Sequence, residues 1–245
     1  MIVNRNAVVS GTHYFKHVHK VPMYDSEFTG SRWVDSVLGS RTDTRCLNAF
    51  RMDKRAFKQL CLDLHNNYGL QESHQLKLPE RVGMFLYLIA HGLGYRAVAE
   101  RFQRSTKTVS DVVHKVLDAI VGRKNGMMGM ASDLLRPRDP SFSEIPAKIL
   151  NDERYEYFKG AIGCIDGTHI SASPPAKESA AYRGRKGDCT FNVMAVCDFD
   201  MYFTFVSAGW EGSAHDARVL DHATRTPGVN FPHPPPGKLQ SSQPS

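Results

Sequence analysis

The spacing of apolar residues changes kind part-way along this chain, and that change bounds what it can fold into. Up to Ile120 they recur at intervals of three and four, as on one face of an α-helix. Phe57, Leu60, Cys61 and Leu64 follow a cap at Asp53 and stop at Asn66-Asn67-Tyr68-Gly69. Val82, Phe85, Leu86 and Ile89 follow Pro79, which suits a first helical turn, and stop between Gly92 and Gly94. A short segment, Tyr95 to Phe102, turns Val98, Ala99 and Phe102 inward. Ser105 then caps a longer helix with the stripe Val109, Val112, Val113, Val116, Leu117 and Ile120.

Gly122, the Gly/Met stretch from Gly126 to Met130, and then Pro137, Pro140 and Pro146 separate this region from one of strand character. Ala161 to Ile165 reads as a short apolar strand ending in Asp166-Gly167. Phe191 to Cys197 and Tyr202 to Ala208 are β-rich, and Asp198-Phe199-Asp200-Met201 between them reads as a hairpin turn. Ala214 to Ala223 has helical spacing. The division expected is a flexible arm over 1–45, a helical domain over 46–125, a linker over 126–158, an α/β domain over 159–238 and a tail over 239–245. Three strands and one helix make a poor closed core, so the chain reads as stopping mid-domain, with exposed sheet edges.

A length of 245 residues, 41% hydrophobic and 23% charged, describes a globular chain with enough residues for a core. The longest apolar run, Val82 to Ala90, is far short of the roughly 20 residues of a membrane span. The first residues, Met1-Ile2-Val3-Asn4-Arg5, carry no secretory signal pattern. Five cysteines without a Cys-x-x-Cys pair argue against a disulfide framework and a structural zinc site, and for a reducing intracellular compartment. Residues 1–125 hold 19 lysines and arginines against 11 acidic residues, while residues 126–245 hold 12 against 14. A basic front half suits a polyanionic partner, because neutralising phosphates releases counterions.

Arg81–His91, Tyr95–Phe102 and Thr106–Ile120 have the lengths and the tight turn of a helix-turn-helix, in which one short helix braces a second whose N-terminal end enters the major groove. Arg104, Ser105, Lys107 and Thr108 stand at that end, with hydroxyls, two cations and a helix N-terminus for phosphates or base edges. The same residues also suit an ordinary capped helix of a bundle.

Asp166 and Asp216 are the acidic residues of interest. A carboxylate just past a buried strand is held rigidly, and a few such groups bind Mg²⁺ or Mn²⁺ through oxygen. Two ions about 4 Å apart activate a water or a 3′-hydroxyl and stabilise the leaving oxygen of a phosphodiester. Aspartates at strand ends are also common turn formers. Ile165-Asp166-Gly167-Thr168 is close to the loop of aspartyl-phosphate phosphatases, but Cys164 stands where that chemistry needs a nucleophilic carboxylate. His169 and His215 each lie near an aspartate, as catalytic groups or as hydrogen-bonded turn residues. Arg183, Arg185 and Lys186 form a basic loop, either a solvated turn or a grip on DNA.

Taken together these stretches resemble PIF/Harbinger-type transposases and the nucleases derived from them. The blocks that carry the resemblance are Gly163 to Ile170, Ala181 to Gly187, Asn192 to Asp198 and Gly209 to Leu220, in that order. The helical region from about Phe50 to Ile120 is similar to the helix-turn-helix domain that precedes the nuclease in that family. The resemblance implies an N-terminal helix-turn-helix domain followed by a partial RNase H-like nuclease domain, with Asp166 and Asp216 as metal ligands. It further implies Mg²⁺ or Mn²⁺, a DNA partner, no membrane, a nuclear location and room for a separate DNA-binding partner protein. The family pattern goes on to another Asp and a final Glu, whereas Leu239 to Ser245 departs from it. The expectation is therefore a C-terminally truncated nuclease with impaired turnover. The rival expectations are a non-catalytic DNA- or protein-binding module acting through residues 50–120, and a fragment that folds only to about residue 125.

Overall fold

The computed structural model describes residues 22–122, 128–184 and 187–233, which fall into two compact units dividing after Met130. The first unit is helical. Its helices are α1 (Gly30–Leu38), α2 (Thr44–Phe50), α3 (Lys54–Asn66), α4 (Leu78–His91), α5 (Tyr95–Phe102) and α6 (Thr106–Val121).

Helix α1 corrects the expected arm, because the structure puts a helix inside residues 1–45. Thr29 caps it by accepting from the Arg32 N–H, and Val34 and Val37 enter the core. Trp33 meets Phe50, Tyr87 and Phe102 edge-on, with ring centroids 5.6, 5.2 and 5.3 Å away. Trp33, Val34, Val37 and Leu38 fall on one face, so the helical spacing is present in the sequence, though over only nine residues, and three aromatic contacts and two buried valines hold the helix.

Helices α3, α5 and α6 follow the expected stripes. Asp53 and Ser105 cap α3 and α6, accepting from the Ala56 and Thr108 N–H groups at 2.7 and 3.0 Å. Helix α4 departs from its stripe. Every residue from Leu78 to Leu86 except Pro79 is buried, while Ile89 is exposed, so its first two turns are surrounded rather than one-sided. Leu117 on α6 is likewise exposed.

Burial of α4 includes the carboxylate of Glu80, which is 1% exposed. Arg104, in the turn between α5 and α6, donates through Nε to Oε1 at 3.0 Å and through a terminal nitrogen to Oε2 at 3.1 Å, and also to the Gln75 carbonyl. Gly30 lies against the same carboxylate: a Cβ there would come 2.9 Å from Glu80 Oε1 and 2.7 Å from a Phe102 ring carbon. The neighbouring Arg81 is also buried, donating to the Leu76 carbonyl and the Ser73 hydroxyl. Burial lowers its pKa against the opposing pull of Glu72 and Glu80.

The second unit begins with short turns where a linker was expected: α7 (Met130–Leu134), which straddles the division, α8 (Ala147–Leu150) and a 3₁₀ turn (Glu153–Phe158). Asp139 accepts from the Ser141 hydroxyl and the Ser143 N–H, and also from the Ser143 hydroxyl and the Ser141 N–H, and these bonds hold its carboxyl well below the usual range. Three antiparallel strands follow in the order β1 (Cys164–Ser171), β2 (Thr190–Cys197), β3 (Phe203–Glu211), with α9 (Ser179–Tyr182) between β1 and β2. The hairpin turn is where it was expected, with Asp198 accepting from the Asp200 and Tyr202 N–H groups at 2.9 Å each. Helix α10 (Asp216–Arg225) lays Val219 and Ala223 on the sheet face of Met194, Val196 and Phe205.

Strand β1 differs from expectation. It does not end at Asp166 but continues to Ser171, with Asp166 opposite Ala195 and His169 opposite Asn192. Pairing to an apolar β2 holds Gly167 in the sheet although glycine argues against a strand.

Two outcomes follow from this packing. Arg104→Ala strands the buried Glu80 carboxylate and is expected to cost the helical unit about 3 kcal/mol in denaturant unfolding. Lys107→Ala, at a side chain 85% exposed, is expected to leave it unchanged. Burial pushes the Cys61 thiol up to about 12, and burial with nearby Asp43 and Asp53 raises that of Cys46. A thiol reagent at pH 8 should therefore label exposed Cys164 in the native protein, and Cys46 and Cys61 only after unfolding.

Candidate functional site

Along β2 the side chains alternate, and Asn192, Met194 and Val196 share the buried face. Two of these are core residues; the third is an amide, wholly buried. It donates through Nδ2 to the Ala214 carbonyl at 3.0 Å and to Asp216 Oδ1 at 2.7 Å. Asp216 is the first residue of α10, after His215 at its N-cap, so its carboxylate also stands at the positive end of that helix.

The same carboxylate packs against β1. A Cβ on Gly167 would come 2.9 Å from Asp216 Oδ2 and closer still to Oδ1. On its other side, Asp166 Oδ1 accepts from the Gly167 N–H at 2.8 Å. Asp216 thus packs against Gly167 through space, while Asp166 is the preceding residue of β1 and, by the alternation of a strand, belongs to the other face. Both are exposed and present oxygen donors to solvent. Among the described residues, no three His, Cys, Asp or Glu side chains gather as a metal-holding group. The set is two carboxylates, suited in kind to a hard cation but few in number.

The surrounding loops are drawn to the same end of the sheet. Gly212 is pressed between Tyr182 and Thr190, where a Cβ would meet the Thr190 carbonyl at 2.6 Å. The Ser213 N–H donates to the Ala181 carbonyl at 3.3 Å, and Tyr182 meets Phe191 edge-on at 5.1 Å. Arg183 pairs with Cys189 at the entry to β2, one residue from Gly184, which lies near the Gly212 carbonyl. Arg183 is exposed beside this bridge, while Arg185 and Lys186 lie outside the described residues. His169 is bound through Nδ1 to the Thr190 hydroxyl at 3.0 Å.

In the helical unit the four candidate DNA-contacting residues divide. Arg104 is spent on Glu80 and Gln75, and Ser105 caps α6 and bonds the Thr108 hydroxyl at 2.9 Å. Lys107 is exposed, in a surface pair with Asp111. Asn192 was not singled out from sequence. Its signal was there: one polar residue on the buried parity of the otherwise apolar run Phe191–Cys197.

The DDE superfamily endonuclease signature matches residues 165–230, which spans β1 to α10 and both aspartates. A domain of unknown function (DUF8040) matches residues 25–122, the helical unit. The chain is homologous to the Harbinger transposase-derived nucleases. It is 26% identical to the Protein ALP1-like of Arabidopsis thaliana over 197 residues, 76% of this chain and 46% of that protein. It is 31% identical over 123 residues to human HARBI1, a protein provisionally named a nuclease, covering 49% of this chain and 32% of the relative. The rat protein of that name is 29% identical over 122 residues, again 49% of this chain and 32% of the relative. The chain thus spans less than half the length of these relatives. No solved structure matches it.

Gly167→Ala is expected to destabilise the second unit by about 1–3 kcal/mol through overpacking against Asp216. Gly160→Ala, where a Cβ would meet nothing within 4 Å, is expected to be silent in the same thermal melts.

Proposed function

We propose that this chain carries the nucleic-acid-binding and metal-binding parts of a divalent-metal-dependent DNA nuclease of the transposase-derived kind, its second unit RNase H-like. The observation that supports this best is that Asp166 and Asp216 are both exposed carboxylates next to Gly167, one in sequence and one in space, within the stretch that matches the endonuclease signature. These two carboxylates would hold Mg²⁺ or Mn²⁺, which activates a water or 3′-hydroxyl and stabilises the leaving oxygen of the phosphodiester. The chain's own part is to fix the carboxylates: Asn192 and the first turn of α10 hold Asp216, and the Gly167 N–H holds Asp166. Arg183, with Arg185 and Lys186 beside it in sequence, supplies cationic contacts to phosphate. Two protein carboxylates bind a divalent ion weakly, so turnover by these 245 residues alone is expected to be slow.

The helical unit is the DNA-binding part, as a helix-turn-helix of α5 and α6. Lys107, Thr108 and Ser105 at the start of α6 meet the phosphates or base edges, and Arg104 braces the turn from below. A DNA substrate puts the protein in the nucleus, and a separate DNA-binding protein is an admissible partner. Among the described residues, no helix is long and apolar enough to cross a membrane. A non-catalytic reading, as a DNA- or protein-binding module, draws on the helical unit's own closed core.

The deciding experiment is cleavage of plasmid or oligonucleotide DNA with Mg²⁺ or Mn²⁺. Slow, metal-dependent cleavage is expected, abolished by Asp166→Ala and by Asp216→Ala. Cleavage that survives both substitutions, or needs no metal, sinks the nuclease reading. Salt-dependent DNA binding with neither cleavage nor metal effect favours the module.

A further inference from the structure

Asn192 combines two features that a core residue seldom has together. Its Nδ2 is fully committed, to the Ala214 carbonyl and to Asp216 Oδ1, while its Oδ1 is buried without a hydrogen-bond partner. Both groups that it meets are acceptors, a carbonyl and a carboxylate oxygen, so the amide cannot be turned round to pair the oxygen without losing both bonds. An apolar residue would fill the site without burying an unpaired oxygen, as Met194 and Val196 do on the same face. The amide is tolerated for what its donors do.

What they do is fix one carboxylate. The bond to Ala214 ties down the residue two before Asp216, and the bond to Oδ1 fixes the side chain itself. Gly167 closes the opposite side, so the carboxylate lies between an amide donor and a strand backbone. One donor on Oδ1 leaves Oδ2 and the second lone pair of Oδ1 to be shared with a cation.

We infer that Asn192 is a positioning residue for Asp216, holding its carboxylate against Gly167 in the orientation a divalent cation needs. This rests on the metal-binding reading above, and groups that orient metal-ligating carboxylates typically matter about 10–100-fold in affinity.

The test uses the whole chain with two readouts. In the first, Mn²⁺ is titrated calorimetrically into the wild type, Asn192→Leu and Asn192→Ser, each checked for folding by circular dichroism. Affinity is expected to fall about 10-fold or more in both variants. In the second, free of metal, the Asn192 side-chain amide is followed by ¹H–¹⁵N spectroscopy and assigned by its loss in Asn192→Ser. It is expected to exchange slowly in the wild type, and both to shift and to exchange faster in Asp216→Ala. Unchanged Mn²⁺ affinity in a folded Asn192 variant, or an amide signal indifferent to Asp216→Ala, overturns the inference. If the wild type binds no Mn²⁺, the metal-binding reading falls, and the amide readout alone decides whether Asn192 holds Asp216.

Discussion

The second unit turns on one close approach, that of the Asp216 carboxylate to the backbone of Gly167. Any side chain at 167 would occupy the space the carboxylate fills, so the strand must be without one there. The consequence spreads outward. Asp216 opens α10, so the contact sets where that helix begins on the sheet, and Val219 and Ala223 then fall on Met194, Val196 and Phe205. The loop before it needs Gly212 to pass between Tyr182 and Thr190, and that passage brings Arg183 to the same end of the sheet. A contact between two non-adjacent segments thus orders a loop, a helix and the Asp216 carboxylate.

The helical unit has its own fixed point in Glu80. Burying a carboxylate is costly unless its oxygens are bonded, and the guanidinium of Arg104 bonds both in a planar fork that lysine cannot reproduce. Because Arg104 sits immediately before the cap of α6, that pair fixes where the helix starts. The cation that looks best placed for a phosphate is thereby the one least free to reach it. Exposed Lys107, one turn on and in a weak surface pair with Asp111, is the freer of the two.

The sequence was most legible where periodicity is carried by several turns. The stripes of α3, α5 and α6 could be read because three or more apolar residues repeat on one face. Helix α1 carries the same kind of stripe, Trp33, Val34, Val37 and Leu38, but over only nine residues among Gly, Ser and Arg, too short to stand out without the aromatics that Trp33 meets on three other helices. The exposed ends of the stripes, Ile89 and Leu117, were invisible for a related reason: spacing says which face is apolar, not how far the neighbouring helix extends along it. At the site, the two aspartates stood out by residue type and by resemblance. That β1 runs through Asp166 to Ser171 was hidden, because its pairing to β2 and not its own composition makes it a strand. Asn192 was hidden differently: only its hydrogen bonds tell a buried amide from a break in an apolar run.

The uneven charge of the chain makes physical sense on the nuclease reading. Groups that hold a divalent cation must be acidic, and an acidic site repels the phosphate that it is to cleave. Attraction at long range has to come from elsewhere on the chain, and residues 1–125, with 19 basic residues against 11 acidic, can supply it. At about 0.15 M salt that attraction is screened beyond roughly 8 Å. The acidic pair therefore needs its own nearby cations, the bound metal and basic side chains such as exposed Arg183, which follows Tyr182, whose carbonyl borders Gly212. Basic binding and acidic chemistry can then occupy one chain without the first neutralising the second.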